Sequence, residues 1–456
     1  MMNSKLFYNL ALFIFLTLTC HQGQSKEQEP FKKYPLNDDF WKIENNDGSL
    51  DGLTILNHQG RQSLLVKNGQ KAILKDVRFK NFVVDFYCNA QVPGLAFRVQ
   101  DQKNFEYLYL RMMMSGNKDA LQYLPIHNGN LPWQLYNYPD YEGKATFPRK
   151  AVATLPLTLK EELVSGKVSD TLLLSLKENG VNFSKETFID IPEESPAYIF
   201  DPQSSEALLF ETSENEIVFL DFKVWVHLKV EVLEDKMSVY IGDMKAPTFI
   251  VEDLKRDIKT GGISLFSNFG DLYFSDFSIK EIETSSALAS QMQERELSPN
   301  YITQWAMSKM FVKDTANYEQ QVHDMLVEQD EFESISADED GLINVSRFYN
   351  DMEKSVIFTS TLVSESEKEV TLNFDFADQL VILLNSEVLF EGEMDFRPPP
   401  EKGAEGRVFV DDEKVSLNLK SGKNQLVFVL SGDSRQKFNW GFIAKLDQLN
   451  GISVQK

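Results

Sequence analysis

The chain has 456 residues, which is long enough for two or three domains with substantial hydrophobic cores. Its formal net charge is −23, from 69 acidic and 46 basic side chains. Because no run of Lys or Arg interrupts this acidic excess, nucleic acids and anionic membrane surfaces are excluded as expected partners. The 34 Phe and 15 Tyr residues favour a folded, β-rich protein over a disordered one.

The first 25 residues have the composition of a targeting segment. Lys5 precedes an apolar stretch over residues 6–19 that is too short to span a bilayer as a stable helix, and Cys20 follows at once. This order resembles a bacterial lipoprotein signal, in which the cysteine is lipidated and becomes the mature N-terminus. The resemblance implies export and a lipid anchor to the cell envelope, in the periplasm or at the cell surface. Plain secretory cleavage after Ser25 is the alternative.

The cysteine count argues against a disulfide framework. If Cys20 carries lipid, Cys88 has no partner cysteine, and its strand-like surroundings predict a small buried hydrophobe. No zinc-ligand spacing occurs. The sequence therefore predicts no cofactor. It leaves open whether the protein binds a structural calcium ion.

The segment from residue 94 to residue 111, GLAFRVQDQKNFEYLYLR, predicts two antiparallel strands around a polar turn at 101–104. That turn would pair Arg98 with Tyr107 and Ala96 with Tyr109. Side chains alternate between the two faces of a strand. One face would then be apolar (Leu95, Phe97, Val99, Leu108 and Leu110) and the other polar (Arg98, Gln100, Tyr107, Tyr109 and Arg111). The polar face is either an ordinary solvated surface or the floor of a binding cleft.

Short strand patterns separated by Gly, Asn and Asp turns continue to about residue 282, and they predict a β-sandwich. Residues 285–300 have the composition of a linker. From residue 301 strand patterns resume, with hairpin turns at Asn385–Glu387 and Ser421–Asn424. Two β-domains are therefore expected, at 30–284 and 301–456.

Four segments carry a family resemblance: GLAFRVQDQKNFEYLYLR, SGNKDALQYLPIHNGNLPWQLY, FPRK and GGISLFSNFGDLYFSDFSI. They resemble the concanavalin A-like lectin/glucanase superfamily, and within it the laminin-G-like and 3-keto-disaccharide hydrolase-type domains. The blocks GLINVSRF, DFADQLVILLNSEVLFEG, LNLKSGKNQLVFVL and NWGFIAKL resemble galactose-binding-like jelly-roll domains. The resemblance implies an all-β chain: a concanavalin-like sandwich followed by a second jelly roll.

The chain differs from the domains that it resembles by an insertion over residues 151–224. This insertion lies between FPRK and the strand with Trp225, His227 and Lys229. It contains the strand-like segments LLLSLKENGVNF and EIVFLDFKV. We expect a subdomain near the rim of the sandwich that covers or reshapes a site.

Residues 115–136 are rich in side chains that commonly bind sugars. Sugars present rows of hydroxyl groups and weakly apolar C–H faces, which suit amides, guanidinium groups and aromatic rings. The resemblance places this segment on the concave face beside the hairpin. The predicted ligand-binding residues are Arg98, Tyr107, Arg111, Asp119, Gln122, Tyr123, Asn128, Trp133, Gln134 and Tyr136. The alternative is a long loop that packs its own aromatic rings over the sheet.

Catalytic residues are not predicted. Glycoside hydrolysis usually needs two flanking carboxylates, and near the expected cleft the candidates are Asp101, Glu106, Asp119, Asp140 and Glu142. The letters of a laminarinase-type motif at Glu328, Asp330 and Glu333 lack an alternating apolar face, so we interpret them as coincidence. The sequence SADEDG (336–341) lacks an acid at the first and twelfth positions of a calcium loop. His127 and His227 are expected to be structural.

These observations leave three classes of function. The leading one is a non-catalytic or accessory glycan-binding protein whose partner is an oligo- or polysaccharide. A carbohydrate-active hydrolase or lyase is the second, and a structural adhesion module is the third.

Overall fold

Antiparallel strands with alternating side chains form the first part of the chain. The computed structural model describes residues 30–191, 196–204, 206–283, 298–314, 316–327, 331–338, 341–351, 353–394, 406–432 and 440–455. The predicted signal segment with Cys20 and most of the predicted linker lie outside these ranges. The first strands are β1 (Lys32–Lys33), β2 (Trp41–Asn45), β3 (Leu50–Asp51), β4 (Thr54–His58), β5 (Arg61–Val66), β6 (Gln70–Leu74), β7 (Phe82–Asn89), β8 (Pro93–Asp101), β9 (Asn104–Leu110), β10 (Leu121–Ile126) and β11 (Glu142–Gly143).

The insertion forms a sheet with its own core. Its elements are β12 (Lys150–Pro156), α1 (Lys160–Val164), α2 (Asp170–Glu178), β13 (Phe188–Asp190), β14 (Tyr198–Asp201), β15 (Glu206–Thr212) and β16 (Glu216–Asp221). The strands pair in the order β12-β16-β15-β14-β13. The strand predicted in LLLSLKENGVNF is wrong, because helix α2 occupies its first part. The Ser169 hydroxyl accepts the Leu172 N–H as an N-cap, and Leu172 and Leu176 are buried four residues apart.

The chain then returns to the sandwich with β17 (Val226–Leu233), β18 (Lys236–Ile241), β19 (Phe249–Val251), β20 (Gly262–Ser267) and β21 (Leu272–Glu281). Two eight-stranded sheets result. Sheet A has the order β19-β18-β17-β7-β21-β5-β4, with β1 on β21, and sheet B has the order β11-β10-β9-β8-β20-β6-β2-β3. Side chains from both sheets fill one core, in which Cys88 is buried as predicted.

The C-terminal part forms a ten-stranded assembly, here called the C-terminal sheet domain. Its elements are β22 (Gln304–Met307), α3 (Tyr318–Val327), β23 (Glu333–Ser336), β24 (Leu342–Asn344), β25 (Ser355–Ser364), β26 (Lys368–Leu384), β27 (Glu387–Met394), β28 (Glu413–Leu419), β29 (Gly422–Ser431), β30 (Gly441–Leu446) and β31 (Ile452–Gln455). The first half of β26 pairs with β28 and β30, and its second half pairs with β27 and β29. The predicted turn after β26 is confirmed, since Asn385 and Ser386 have φ values of 50° and 70°. The prediction of an all-β chain of sandwich type is confirmed.

In the part of the chain that the structure describes, none of the helices has both the length and the apolar character needed to cross a membrane.

Candidate functional site

The β8–β9 hairpin contains a β-bulge that alternation alone does not predict. Phe97 pairs with Glu106, but Asp101 pairs with Asn104, so four steps along β8 oppose two along β9. Arg98 lies inside this bulge with a φ of 47°, a conformation that is costly for a residue other than Gly. The predicted cross-strand partner of Arg98 is therefore wrong.

The bulge turns the Arg98 side chain into the protein, where the residue is only 2% exposed. Its Nε donates to the Lys80 carbonyl at 2.9 Å, and its Nη2 donates to the Glu234 carbonyl and to Asn81 Oδ1. Burial lowers the pKa of Arg98, and neighbouring acidic groups oppose that shift. The expected position of Arg98 on an open polar face is wrong, because this side chain ties sheet B to sheet A.

The hairpin tyrosines do lie on the face of sheet B that points away from the sandwich core, but they are covered. The Tyr107 ring stacks on Phe266, with centroids 4.7 Å apart, and on Tyr109, with centroids 5.3 Å apart. A Cβ at Gly94 would lie 2.2 Å from the Tyr107 hydroxyl oxygen, so this strand position requires Gly. Tyr107 and Tyr109 are 0% and 4% exposed, and they cannot form the open floor that the sequence predicts.

Arg111 is the centre of a buried polar network beside these rings. Its guanidinium donates to the Asp119 carbonyl at 2.6 Å, to the Tyr109 hydroxyl at 3.0 Å and to Gln122 Oε1. Glu142 Oε1 lies 3.5 Å from the same group. Burial raises the pKa of Glu142, and the adjacent guanidinium groups oppose this rise. Because its members satisfy one another, the network stabilises the local structure.

The loop after β10 docks onto the C-terminal sheet domain. The Gln134 side chain donates to the Gly406 carbonyl, and the Gln134 carbonyl accepts the Val408 N–H at 2.9 Å. The Arg407 guanidinium stacks 4.1 Å from the centroid of the Trp133 ring and donates to the Trp133 carbonyl. Ring and guanidinium thus form a contact between two parts of the protein.

Two further predicted residues join the same interface. The Asn128 amide donates to the Ser346 carbonyl at 2.8 Å, and the Tyr136 hydroxyl accepts from Asn344 Nδ2 at 3.2 Å. The structure agrees better with the alternative expectation, in which residues 115–136 pack their own aromatic rings over the sheet. The expectation that residues 115–136 form an open cleft is wrong.

Beside this interface, sheet B remains accessible on β2, β6 and the β8–β9 turn. Two cavities of about 500 and 280 Å³ share Glu44, Lys71 and Gln102 among their lining residues, and together they form one groove, here called the amide trough. Other lining residues are Lys42, Asn45, Asn46, Ile73, Val99, Asp101, Lys103, Phe105, Asn128, Gly129, Asn130, Gly262, Ile263, Ser264 and Asn350. Of the predicted ligand-binding residues, Asn128 lines this trough.

The trough combines amide groups with an apolar strip. Gln102 Nε2 donates to Glu44 Oε1 at 2.6 Å, and Lys42 Nζ lies 3.1 Å from Glu44 Oε2. The Lys71 ammonium lies 5.3 Å from the centroid of the Phe105 ring. Burial lowers the pKa of Lys71, and Glu44 opposes this shift. The Asn45-Asn46 pair in the β2–β3 turn is the sequence signal that could have indicated this wall.

The carboxylates named from the sequence are dispersed. Glu106 is fully buried beside the β8–β9 bulge and Glu142 lies in the Arg111 network, whereas Asp101 and Asp140 are exposed. Glu328 and Asp330 lie outside the described residues, and Glu333 begins strand β23 of the C-terminal sheet domain. His227 packs on Tyr87 and lies 2.9 Å from Asp85, which fits a structural role. Within the described ranges, no cluster of three or more His, Cys, Asp or Glu residues could hold a metal ion.

Comparison with known proteins finds no matching protein-family model and no matching curated protein. Among solved structures, the chain is similar to a proposed glycosyl hydrolase from Parabacteroides distasonis, at 11% identity over 54% of this chain and 91% of that one, with a TM-score of 0.25. It is also similar to the VIP36 exoplasmic/lumenal domain in its Ca2+/Man3GlcNAc-bound form, at 8% identity over 57% and 95% of the two chains, with a TM-score of 0.25.

A family 35 carbohydrate binding module from an environmental isolate is a third similar structure, at 16% identity over 22% of this chain and 69% of that one, with a TM-score of 0.17. At these identities and TM-scores the similarities carry no argument about function.

Proposed function

We propose that this chain is an exported glycan-binding protein that captures an oligo- or polysaccharide through the amide trough, or acts in this way as an accessory to degradation. The proposal moves the binding site from residues 115–136, which are largely covered, to the neighbouring accessible groove. Export and a lipid anchor at Cys20 are part of the proposal, and their support is the N-terminal sequence pattern.

The observation that carries the proposal is the pairing of planar polar groups with an apolar strip in one groove. Asn46, Gln102 and Asn350 are exposed amides on its walls. An amide group carries two donors and an acceptor, which match adjacent sugar hydroxyl groups. Gln102 keeps one donor and its acceptor for a sugar, since its Nε2 also donates to Glu44. Ile73 and Phe105 line the adjoining section, where the weakly apolar C–H face of a sugar ring would pack.

The test is a binding assay against a panel of neutral and acidic oligosaccharides. We expect Gln102→Ala combined with Asn350→Ala to weaken the tightest interaction by about tenfold or more, because two amide contacts are lost. Asn215→Ala is the matched control, since this exposed Asn lies in the turn between β15 and β16 of the insertion. If the double variant and the control bind equally well, the trough is not the binding site.

A hydrolase is the second candidate, because two carboxylates line the same groove. Glu44 and Asp101 both contribute to the apolar section of the trough, and glycoside hydrolysis usually uses such a pair. Product analysis on the same panel separates the two functions: binding without turnover supports the capture function, and release of shorter sugars that is lost in Glu44→Gln supports hydrolysis.

A further inference from the structure

A further cavity, of about 320 Å³, lies where the β8–β9 bulge meets the C-terminal sheet domain. It is here called the interface pocket. Five of its lining residues are Arg or Lys and two are acidic, although the whole chain carries a net charge of −23. His127 lines this pocket, and the next residue, Asn128, lines the amide trough. The two cavities are therefore lined by consecutive residues at this point of the chain.

Three polar atoms of the residues lining this pocket are buried and have no hydrogen-bond partner in the described part of the protein. They are Arg98 Nη1, Glu106 Oε1 and His127 Nε2. Arg98 and Glu106 are 2% and 0% exposed. Leaving such atoms unpaired is destabilising, and three of them at one cavity indicate that a ligand completes their hydrogen bonds.

The hydrogen bond made by Arg256 fixes the tautomer of His127. Arg256 Nη1 lies 2.8 Å from His127 Nδ1, and because a guanidinium can only donate, Nδ1 is the acceptor. Burial, together with Arg256 and Arg347, lowers the pKa of His127 to about 3, so the ring is neutral. The ring proton is then on Nε2, and the unpaired atom is a donor.

The Glu106 carboxyl group is held from its other side. The Lys255 N–H donates to the Tyr123 hydroxyl oxygen at 2.7 Å, and that hydroxyl donates to Glu106 Oε2 at 2.6 Å. Burial raises the pKa of Glu106 to about 7. Because Oε2 already accepts the Tyr123 proton, the acid proton occupies Oε1. When Glu106 is protonated, all three unpaired atoms are donors.

We propose that the interface pocket binds an anionic substituent of the captured glycan, either the carboxylate of a uronic acid or a sulfate ester. Arg98, His127 and Glu106 would donate to its oxygens, and Arg347 would supply charge at the rim. This inference rests on the proposed glycan capture and names acidic glycans as its ligand class.

Calorimetric titration of the full chain with glucuronate, glucose 6-sulfate and glucose tests the assignment. We expect at least one of the two anions to bind about tenfold more tightly than glucose, since a charge-assisted contact contributes about this factor. Preference for glucuronate identifies a uronic acid as the ligand, and preference for the sulfate ester identifies a sulfated sugar. If all three compounds bind equally well, the interface pocket does not bind an anion, and the proposal of glycan capture is unaffected. If no sugar in the wider panel binds to the protein, the proposal of glycan capture itself is wrong.

Two variants locate the effect. Arg347→Gln changes an exposed residue at the pocket and should remove most of the preference for the anion. Lys245→Gln removes the same charge from an exposed position outside the pocket and should preserve the preference. If both variants lose the preference for the anion equally, the net charge of the protein causes the preference, and the assignment to the pocket is wrong.

The pH dependence gives an independent readout. The charged and titratable groups around Glu106 are Arg98, Tyr123, His127, Lys255, Arg256, Asp257, Lys259 and Arg347. Since an anion binds better to the protonated acid, affinity should rise from about pH 8 to about pH 6. Glu106→Gln keeps a donor at every pH and should bind the anion with affinity that does not change over this range. An unchanged pH profile in that variant would contradict the role of Glu106.

Discussion

Replacing Arg98 by Ala should destabilise the sandwich strongly. The structure gives this side chain hydrogen bonds to two carbonyl groups and one side-chain amide on the sheet A side of the protein. Hydrogen bonds to charged groups contribute about 1.5–3 kcal/mol each. The cost of burying the guanidinium offsets part of this sum. We therefore expect the free energy of unfolding to fall by about 3 kcal/mol.

Arg98→Gly separates the backbone contribution from the side-chain contribution. Both variants lose the hydrogen bonds, but only Gly tolerates a φ of 47° without steric cost. Arg98→Gly should therefore be more stable than Arg98→Ala by about 1 kcal/mol.

Urea denaturation, followed by fluorescence, measures both effects, and Arg78→Ala serves as the exposed control. We expect the control to stay within about 0.5 kcal/mol of wild type. The sequence alone, which places Arg98 on an open face, predicts a change within about 1 kcal/mol for Arg98→Ala as well. That small change would refute the buried role of Arg98.

Three other predictions concern the stability and the location of the protein. Leu108→Ala removes a fully buried side chain and should lower the free energy of unfolding by about 2–5 kcal/mol, while a loss below about 1 kcal/mol would contradict its core position. Because the pKa of Glu106 is raised to about 7 in the folded protein, wild type loses stability as the pH rises from about 4.5 to about 7. Over that range, urea titrations should show Glu106→Gln gaining up to about 3 kcal/mol of stability relative to wild type. A difference between the two proteins that does not change with pH would contradict this prediction. Cys20→Ser should move the protein from the membrane fraction to the soluble fraction if the proposed lipid anchor exists, and unchanged fractionation would remove that proposal.

Alternation along the strands was enough to predict the core face of the hairpin up to the bulge, whereas Val99, beyond Arg98, lines the amide trough. Leu95, Phe97, Leu108 and Leu110 are all fully buried, because strand periodicity is a local property of the sequence. The position of Arg98 was not predictable in the same way. Its buried position depends on a contact with the carbonyl group of Glu234, which lies 136 residues away in the sequence.

The polar segment 115–136 shows why a binding site is harder to predict than a fold. Trp133 and Gln134 carry the groups that recognise sugars, and the same groups recognise another protein surface. Their partners, Gly406 and Arg407, lie about 270 residues away, as the separations of 272 and 274 show. Nothing local in the sequence distinguishes the two uses.

The insertion illustrates a limit of periodicity itself. The run Leu172–Leu174 followed by Leu176 fits a buried strand and an amphipathic helix equally well. Ser169 as an N-cap and Gly180 just beyond the helix were the signals that favoured α2. The predicted domain boundaries at 30–284 and 301–456 stay predictions.

Hydrogen exchange measured with and without the oligosaccharide that binds most tightly in the panel tests the central proposal most directly. Capture in the amide trough predicts slower exchange at 44–46, 102–104 and 128–130, where backbone amides line or adjoin the groove. Residues 133–136, already held against the C-terminal sheet domain, should show no change. Slower exchange confined to other surfaces, with the three trough segments unaffected, would contradict the proposed site.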